Sequence, residues 1–392
     1  MPKIGVLTFS FTIDNYGQVL QYLATQEFLQ SKGFESVLVE PSGWRISKAQ
    51  SCKRRIRGLI DRIKGKWHTF RYDLAGIPQA EVPDERRELS IEEKKMLIFN
   101  QWKEVTERKE KEHSRHFEDF KKRYFHRQNG TYNDILENGY SAFCIGSDQT
   151  WSCAGWHMML GWVPDGIKRF SIAPSVGHSI YTDHQVDGFK RELKKFDFVT
   201  VREDNGLELC QRCGYSSAIK VLDPVFLLSA NDYEPYMEEV DEGQAPYILV
   251  YLLGADISLS MKEIVDFCES SGYKIKYVES QGRDESFESI PATIGQWLGL
   301  IKNASYILTN SFHGTAFSII FHKPFLVFPI VGLLDGMNGR IIDICAQLEL
   351  SERIYREELN ELFSPIEWKN IDDKIEKNKQ TLDSLIDALA LT

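Results

Sequence analysis

One short segment of the chain combines an imidazole with two hydroxyls, and its sequence is Asn310-Ser311-Phe312-His313-Gly314-Thr315. It stands between an apolar strand pattern and an apolar helical pattern. Free amides at a helix start, supported by the helix dipole, bind phosphate or carboxylate groups. We therefore predict that Asn310, Ser311, Gly314 and Thr315 bind an anion, while His313 moves a proton beside it. The alternative is a helix cap at Ser311 and a core histidine whose hydrogen bonds are satisfied.

A second polar loop, Asp14-Asn15-Tyr16-Gly17, also precedes a helical pattern. It opens on helix amides in the same way, so Asn15, Tyr16 and Gly17 are candidate substrate-binding residues. A plain turn followed by a helix cap explains these residue types equally well.

A third polar segment, Gly146-Ser147-Asp148-Gln149-Thr150-Trp151, directly follows a short apolar run. A carboxylate at a strand exit suits a general base or a group that orients a ligand, which makes Asp148 a candidate catalytic residue. Trp151 would offer a flat aromatic surface to a sugar, with Ser147 and Gln149 as polar contacts. Alternatively, Asp148 caps a helix and Trp151 belongs to the core.

Two further strand exits carry residues suited to a ligand. Ser175 and Gly177 are small, so a ligand could approach the backbone there, although a tight loop would need the same residues. Arg202 leaves an apolar run and is a natural bidentate partner for carboxylate or phosphate. Its alternative role is a salt bridge to Asp223 or Glu203.

The elements that must position these residues alternate between apolar runs and amphipathic helical patterns, which predicts parallel sheets covered by helices. An acidic, polar stretch at 231–244 has the composition of a linker. We predict an α/β fold of two doubly wound Rossmann-like domains that face a cleft, at residues 1–230 and 245–365. A charged helical insertion over about residues 45–128 belongs to the first domain, and an apolar stripe predicts a docked helix within 366–392.

Composition excludes several classes of protein. The chain has 392 residues, of which 42% are hydrophobic and 27% charged, and its net charge of −10 argues against nucleic-acid binding. Apolar runs are too short for a secretory signal or a membrane span, and seven cysteines suggest no disulfide framework, so we expect a soluble cytoplasmic protein. Cys210 and Cys213 fit two helix cysteines better than a metal pair, and no other spacing predicts a metal site.

The segment 48–71 concentrates lysine and arginine around apolar residues at helical spacing, which indicates a basic amphipathic helix. It either packs on the protein with a solvated basic face or rests on an anionic membrane surface. The second reading would bring peripheral contact with the inner membrane surface.

Taken together, these segments resemble the polysaccharide pyruvyl transferase family, and the likeness covers both sheet regions. It rests on Asn15-Tyr16-Gly17 with Leu20-Gln21, residues 146–151 and 171–177, Val201-Arg202-Glu203, Leu222-Asp223-Pro224, residues 311–315, Lys323-Pro324-Phe325 and Asn338-Gly339-Arg340-Ile341. The resemblance implies a two-domain GT-B-like architecture and transfer of a pyruvyl group from phosphoenolpyruvate to a sugar, closing a ketal across two hydroxyls. It also implies that His313 is the acid or the phosphate partner, Arg202 the clamp on the donor, and Asp148 the acceptor-side base or orienter.

The chain departs from the family at one position. Many members carry an arginine two residues before the histidine, where this chain has Ser311. Either another cation completes the donor site or the donor is not phosphoenolpyruvate. The candidates for that cation are Arg340, Lys323, Arg283 and Arg169.

The resemblance implies a small-molecule donor, no cofactor, and a sugar or lipid-linked oligosaccharide acceptor in surface or extracellular polysaccharide biosynthesis. Two alternatives remain at this level, because fold does not determine function. One is a GT-B-type glycosyltransferase that uses a nucleotide sugar. The other is a non-catalytic glycan-binding or assembly protein. The acceptor, the ketal stereochemistry and the oligomeric state do not follow from the sequence.

Overall fold

The computed structural model describes residues 1–42, 89–152, 156–177, 181–240, 245–283 and 287–391. The strands are β1 (Lys3–Leu7), β2 (Glu35–Pro41), β3 (Arg127–Gly130), β4 (Ala142–Ile145), β5 (Lys168–Ser171), β6 (Phe198–Val201), β7 (Ile219–Lys220), β8 (Tyr247–Tyr251), β9 (Lys274–Tyr277), β10 (Tyr306–Thr309) and β11 (Phe325–Val327). The helices are α1 (Tyr16–Ser31), α2 (Ile91–Glu112), α3 (Phe117–Tyr124), α4 (Tyr132–Leu136), α5 (Asp183–Leu193), α6 (Asp204–Arg212), α7 (Ala230–Tyr233), α8 (Met261–Ser270), α9 (Ile294–Asn303), α10 (Phe312–Ile320), α11 (Gly339–Gln347) and α12 (Trp368–Asp387).

The strands form two parallel sheets, which confirms the predicted fold of two doubly wound α/β domains. The first sheet has the order β3-β2-β1-β4-β5-β6-β7, and the second has the order β11-β10-β8-β9. The chain moves outward from the centre in both directions, so the strand order reverses between β1 and β4 and between β8 and β10. The carboxyl ends of strands flanking such a reversal are where open α/β sheets bind ligands.

Burial explains why the strands read as continuous apolar runs. All five residues of β8 are buried, and so are all four of β4. A parallel strand covered by helices on both faces has no solvated side, so polar alternation is lost. Side-chain caps fix several helix starts; α9, for example, begins with a capping box between Thr293 and Gln296.

The predicted insertion differs from the structure at its end. Helices α2 and α3 lie within it, but residues 127–130 form β3, the edge strand that pairs with β2 in parallel. The insertion therefore ends before the predicted limit of residue 128. The basic segment 48–71 lies outside the described residues.

The C-terminal helix α12 docks on the first domain, as its apolar stripe predicted. Ile371, Leu382 and Ile386 are buried. Near the end of α1, the Lys32 ammonium lies 3.0 Å from a carboxylate oxygen of Asp383. The chain thus crosses from the first domain to the second and then returns.

Two further predictions concern membrane-spanning segments and the pair of cysteines at 210 and 213. None of the helices in the described part of the chain is both long enough and apolar enough to cross a bilayer. Cys210 and Cys213 are buried free thiols in α6 and at its end, and burial raises the pKa of Cys210 to about 12. The pair therefore lies in the core, in agreement with the interpretation as helix cysteines.

Candidate functional site

His313 lies in the first turn of α10, directly after β10. The Ser311 hydroxyl caps this helix by accepting a hydrogen bond from the Gly314 amide at 3.3 Å, and the Thr315 hydroxyl donates to the Ser311 carbonyl at 3.0 Å. Both hydroxyls predicted to bind an anion therefore have intrahelical partners. His313 itself is buried, with 7% of its surface exposed.

The first domain meets His313 at the start of α1. A Cβ atom on Gly17 would lie only 1.9 Å from Nδ1 of His313, so only glycine allows this approach. Asn15 fixes the start of α1 by accepting a hydrogen bond from the Gln18 amide at 3.1 Å. The two strand exits singled out in the sequence thus come together across the domains.

The surroundings of His313 keep its imidazole neutral at pH 7. Burial lowers the pKa of His313 to about 4; the carboxylates of Asp223 and Asp148 oppose this fall, and the guanidinium groups of Arg202 and Arg340 add to it. Its Nε2 atom is buried and has no hydrogen-bond partner among the described residues. A buried polar atom without a partner is costly, so this atom is available to a ligand.

Arg202 extends from the end of β6 into the same site. Its Nη1 donates to Oδ2 of Asp223 at 2.5 Å, and its Nε lies 3.4 Å from Oε2 of Glu203. The salt bridges considered as an alternative are therefore both present. Nη2 of Arg202 is nevertheless buried without a partner in the described part of the chain, and the guanidinium lies 4.9 Å from the centre of the Phe312 ring. The side chain is anchored by two carboxylates and keeps one donor free.

Asp223 is the acceptor that joins the first-domain side chains. Its Oδ2 accepts from Nε2 of Gln21 at 2.5 Å and lies 3.5 Å from the Ser147 hydroxyl, while its Oδ1 accepts from the Val225 amide at 3.1 Å. Oε1 of Gln21 is buried and finds no partner within the described ranges. Asp223 therefore holds Arg202 and Gln21 in fixed positions.

Asp148 lies beside this cluster, after β4. Its Oδ2 accepts from Nε2 of Gln18 at 2.6 Å, and its backbone is left-handed with a φ of 54°, a conformation that aspartate adopts more readily than most residues. Oε1 of Gln18 is another buried atom that no described residue pairs with. A carboxylate therefore lies at the site, and its role as acceptor-side base or orienter stays a prediction.

Arg340 reaches the site from the start of α11. Its guanidinium lies 6.0 Å from the centre of the Phe312 ring, on which Arg202 also lies. Burial and the nearby charge of Arg202 lower its pKa. Arg340 forms no ion pair with a carboxylate within the described ranges. By contrast, Arg169 is held by the Val163 carbonyl and Asp165, away from the cluster.

Three of the predicted residues have structural roles instead. Trp151 is completely buried and packs edge-on against Phe189, so it belongs to the core and offers no platform for a sugar. Tyr16 stacks on Trp297 with ring centres 4.9 Å apart. Asn310 braces the exit of β8 through hydrogen bonds to the backbone of residue 253 at 2.6 and 3.2 Å.

The loop after β5 serves to position Glu203. Oε1 of Glu203 accepts from the Ser175 hydroxyl at 2.7 Å and from the Gly177 amide at 3.2 Å. Gly177 has a φ of 66°, and a Cβ there would lie 3.1 Å from Gln149, which borders the same loop. These residues therefore support Arg202 indirectly, through its second carboxylate.

Sequence reasoning did not select Gln18 and Gln21 as site residues. They lie three positions apart on α1, one turn after Asn15, so they share a helix face. Together with the polar loop before them, this spacing could have indicated that α1 turns a polar face toward the site.

The sequence model of the family described as Polysaccharide pyruvyl transferase matches residues 15–330. No protein of curated function matches the chain significantly.

Solved structures of several sugar-nucleotide proteins resemble the chain over nearly its whole length. UDP-GlcNAc 2-epimerase from Methanocaldococcus jannaschii is 9% identical, with coverage of 98% of this chain and 99% of that chain and a TM-score of 0.48. Arabidopsis thaliana UGT89C1 complexed with UDP is 11% identical, with coverage of 100% of both chains and a TM-score of 0.46. UDP-GlcNAc 2-epimerase from Neisseria meningitidis bound to UDP-GlcNAc is 12% identical, with coverage of 100% and 95% and a TM-score of 0.41. At these identities the likeness concerns the fold alone.

Proposed function

Because the chain belongs to the polysaccharide pyruvyl transferase family, we propose that it transfers a pyruvyl group from phosphoenolpyruvate to two hydroxyls of a sugar, forming a ketal. The acceptor is a sugar or lipid-linked oligosaccharide of surface or extracellular polysaccharide biosynthesis, and the reaction takes place in the cytoplasm. The site between α1 and α10 carries the chemistry.

The observation that supports this proposal most strongly is a set of buried polar atoms that have no partner among the residues that the structure describes. They are Oε1 of Gln18, Oε1 of Gln21, Nη2 of Arg202 and Nε2 of His313. The four side chains are linked through hydrogen bonds and charges to Asp148 and Asp223. Because native structures rarely leave buried polar atoms unpaired, a polar ligand is expected to pair with them.

The cations of the site suit a donor with a carboxylate and a phosphate. Arg202 and Arg340 both lie against the Phe312 ring, and each retains capacity to donate to an anion. Arginine binds such planar or tetrahedral oxyanions with high geometric specificity. Arg340 thereby supplies the positive charge that many family members place at the position of Ser311.

The proposed reaction uses His313 as the acid. A proton from the imidazolium adds to the methylene carbon of phosphoenolpyruvate, and a sugar hydroxyl attacks the adjacent carbon while Asp148 accepts its proton. The bond from that carbon to the phosphate oxygen then breaks, and the second hydroxyl attacks the same carbon. Inorganic phosphate leaves with the electron pair and takes the proton that Asp148 accepted, while the proton of the second hydroxyl restores the imidazolium of His313.

The neutral state of His313 in the free protein is compatible with this role. Phosphoenolpyruvate brings a carboxylate and a phosphate next to the imidazole, and negative charge at such short range raises the pKa of a histidine. Binding of the donor would therefore draw a proton onto His313. The acid is formed only when the substrate is present.

The proposal is tested by incubating the protein with phosphoenolpyruvate and a panel of glycans, then measuring released phosphate and the glycan mass. We expect equimolar phosphate release and a mass gain that matches one pyruvyl ketal. Arg340→Gln should weaken phosphoenolpyruvate binding at least tenfold without loss of folding, whereas Arg356→Gln, a change at an exposed arginine, should leave binding unchanged.

Thermal shift separates the alternatives. Stabilisation by phosphoenolpyruvate, with none by UDP-sugars, supports pyruvyl transfer. The reverse pattern would establish nucleotide-sugar chemistry. No stabilisation by either, together with unchanged glycan binding in Arg340→Gln, would indicate a non-catalytic glycan-binding protein.

A further inference from the structure

Apart from the site at His313, a cavity with a volume of about 610 Å³ lies between the insertion helix α2 and the second domain. One wall is α2, including Gln101, Trp102 and Glu104. The facing wall comes from loops after β8, β9 and β11, at Gly254, at Gly282 and over residues 331–334. All three loops leave the carboxyl edge of the second sheet, the edge from which His313 also emerges. The cavity falls in the range of about 300–1,000 Å³ in which small-molecule sites are found.

Hydrogen bonds link both walls of this cavity to segments that form the site of His313. The Thr106 hydroxyl on α2 donates to Oδ2 of Asp14 at 2.9 Å, and Asp14 immediately precedes the cap of α1. On the other wall, Gly254 follows residue 253, whose amide and carbonyl are both bonded to Asn310. The walls of the cavity are therefore fixed to the two segments that bring Gly17 and His313 together.

The floor of the cavity is aromatic. Trp102 is only 7% exposed and its ring lies on the backbone of Gly282, since a Cβ on that glycine would be 2.4 Å from Cγ of Trp102. The indole N–H makes no hydrogen bond with any residue of the described ranges, and it is not buried away from solvent. Trp102 thus offers both an apolar ring and a free donor to a ligand.

The rim of the cavity is polar and slightly acidic. Gln101, Glu104 and Asp256 are exposed side chains on opposite walls, and Arg108 adds one positive charge. The rim therefore carries one net negative charge at neutral pH. This disfavours a second phosphate or nucleotide, whereas carboxylates and amides are good hydrogen-bond partners for sugar hydroxyls.

From these features we infer that the cavity at Trp102 is the binding site for the uncharged sugar acceptor, and that α2 of the insertion forms its outer wall. The inference builds on the proposed function, because it assigns the second substrate of that reaction to a place next to the first. The anionic donor occupies the arginine side and the neutral sugar occupies the acidic side.

The test uses saturation-transfer-difference NMR on the full chain, with the methyl β-glycosides of glucose, galactose, mannose and N-acetylglucosamine as probes. At least one glycoside should receive magnetisation. The double variant Glu104→Gln/Asp256→Asn should weaken its binding at least fivefold, and Trp102→Phe, which keeps an aromatic ring but removes the N–H, should also weaken it. Glu107→Gln lies on the same helix but outside the cavity and should bind as the wild type does.

Phosphoenolpyruvate affinity, measured on the same variants, separates the assignment of the cavity from the proposed reaction. This affinity should be the same in the wild type, the double variant, Trp102→Phe and Glu107→Gln. Absence of any glycoside signal, or equal signals from the double variant and Glu107→Gln, would overturn the assignment of the cavity even if phosphoenolpyruvate binds. Glycoside binding at Trp102 in a protein that does not bind phosphoenolpyruvate would uphold the cavity and refute the proposed reaction.

Discussion

Proton uptake on donor binding follows directly from the environment of His313. Its pKa falls from 6.5 to about 4, mainly through burial, so roughly one molecule in a thousand carries the imidazolium at pH 7. A fall of this size corresponds to roughly 3 kcal/mol against the charged form. If phosphoenolpyruvate restores the charge, its binding must be coupled to uptake of one proton by this residue.

Isothermal titration calorimetry at pH 7, in buffers with different ionisation enthalpies, measures this proton directly. The wild type should take up about one more proton per bound phosphoenolpyruvate than His313→Gln does. The phosphate of the donor also titrates near pH 6, but its contribution is common to every variant and cancels in the difference.

A matched control is available at the other end of α10. His322 follows the helix, is exposed, and lies 2.9 Å from a carboxylate oxygen of Asp372. His322→Gln should therefore show the proton uptake of the wild type. Equal uptake by the wild type and His313→Gln would refute the reasoning, because His313 would then stay neutral in the complex and could not be the acid.

Three further predictions concern the same site. Gly17→Ala should lower both phosphoenolpyruvate binding and the melting temperature, because its Cβ would lie 1.9 Å from the His313 ring. Gly188→Ala, whose Cβ would meet no atom of the described residues within 4 Å, should leave binding unchanged and should not lower the melting temperature, because alanine favours a helix interior over glycine. Thermal shift with and without the donor measures both, and normal binding by Gly17→Ala would show that the contact is dispensable. Asp223→Asn should reduce the free energy of unfolding in urea by about 3–5 kcal/mol because it leaves Arg202 buried without its shortest ion pair; a loss below about 1 kcal/mol would mean that another group neutralises this arginine. Finally, the pKa of His313 is lower in the folded than in the unfolded chain, so the free energy of unfolding should fall as the pH drops from about 6.5 to about 4. In urea titrations between pH 7 and pH 4.5, the wild type should lose roughly 2–3 kcal/mol more of this free energy than His313→Gln does. Equal losses of stability in the wild type and His313→Gln would contradict this pH dependence.

The sequence predicted the sheets well because buried parallel strands leave a clear apolar signal. It missed β3 because that strand consists of Arg127-Gln128-Asn129-Gly130, which has no apolar alternation. An edge strand is paired on one side only and is partly solvated, so tertiary pairing rather than composition defines it. The end of the insertion was misplaced for the same reason.

Site residues were predictable where the residue type alone indicates a chemical role. They were less predictable where the role depends on the position of the side chain in the folded chain. His313, Asp148 and Arg202 are brought together as expected from strand exits. Trp151 has the residue type of a sugar platform, but a buried ring contact decides its role. Gln18 carries no charge, and its importance depends on a hydrogen bond across 130 residues of sequence, which no local pattern reveals.

The second half of the chain holds α1 at both ends. His313 abuts Gly17 in its first turn, and Asp383 of α12 pairs with Lys32 just past its last turn. At 1.5 Å per residue these two points are about 22 Å apart. Helix α1 therefore has one end in the site and the other beside the C-terminal helix. The placement of Gly17 against His313 and the docking of α12 thus depend on the same helix.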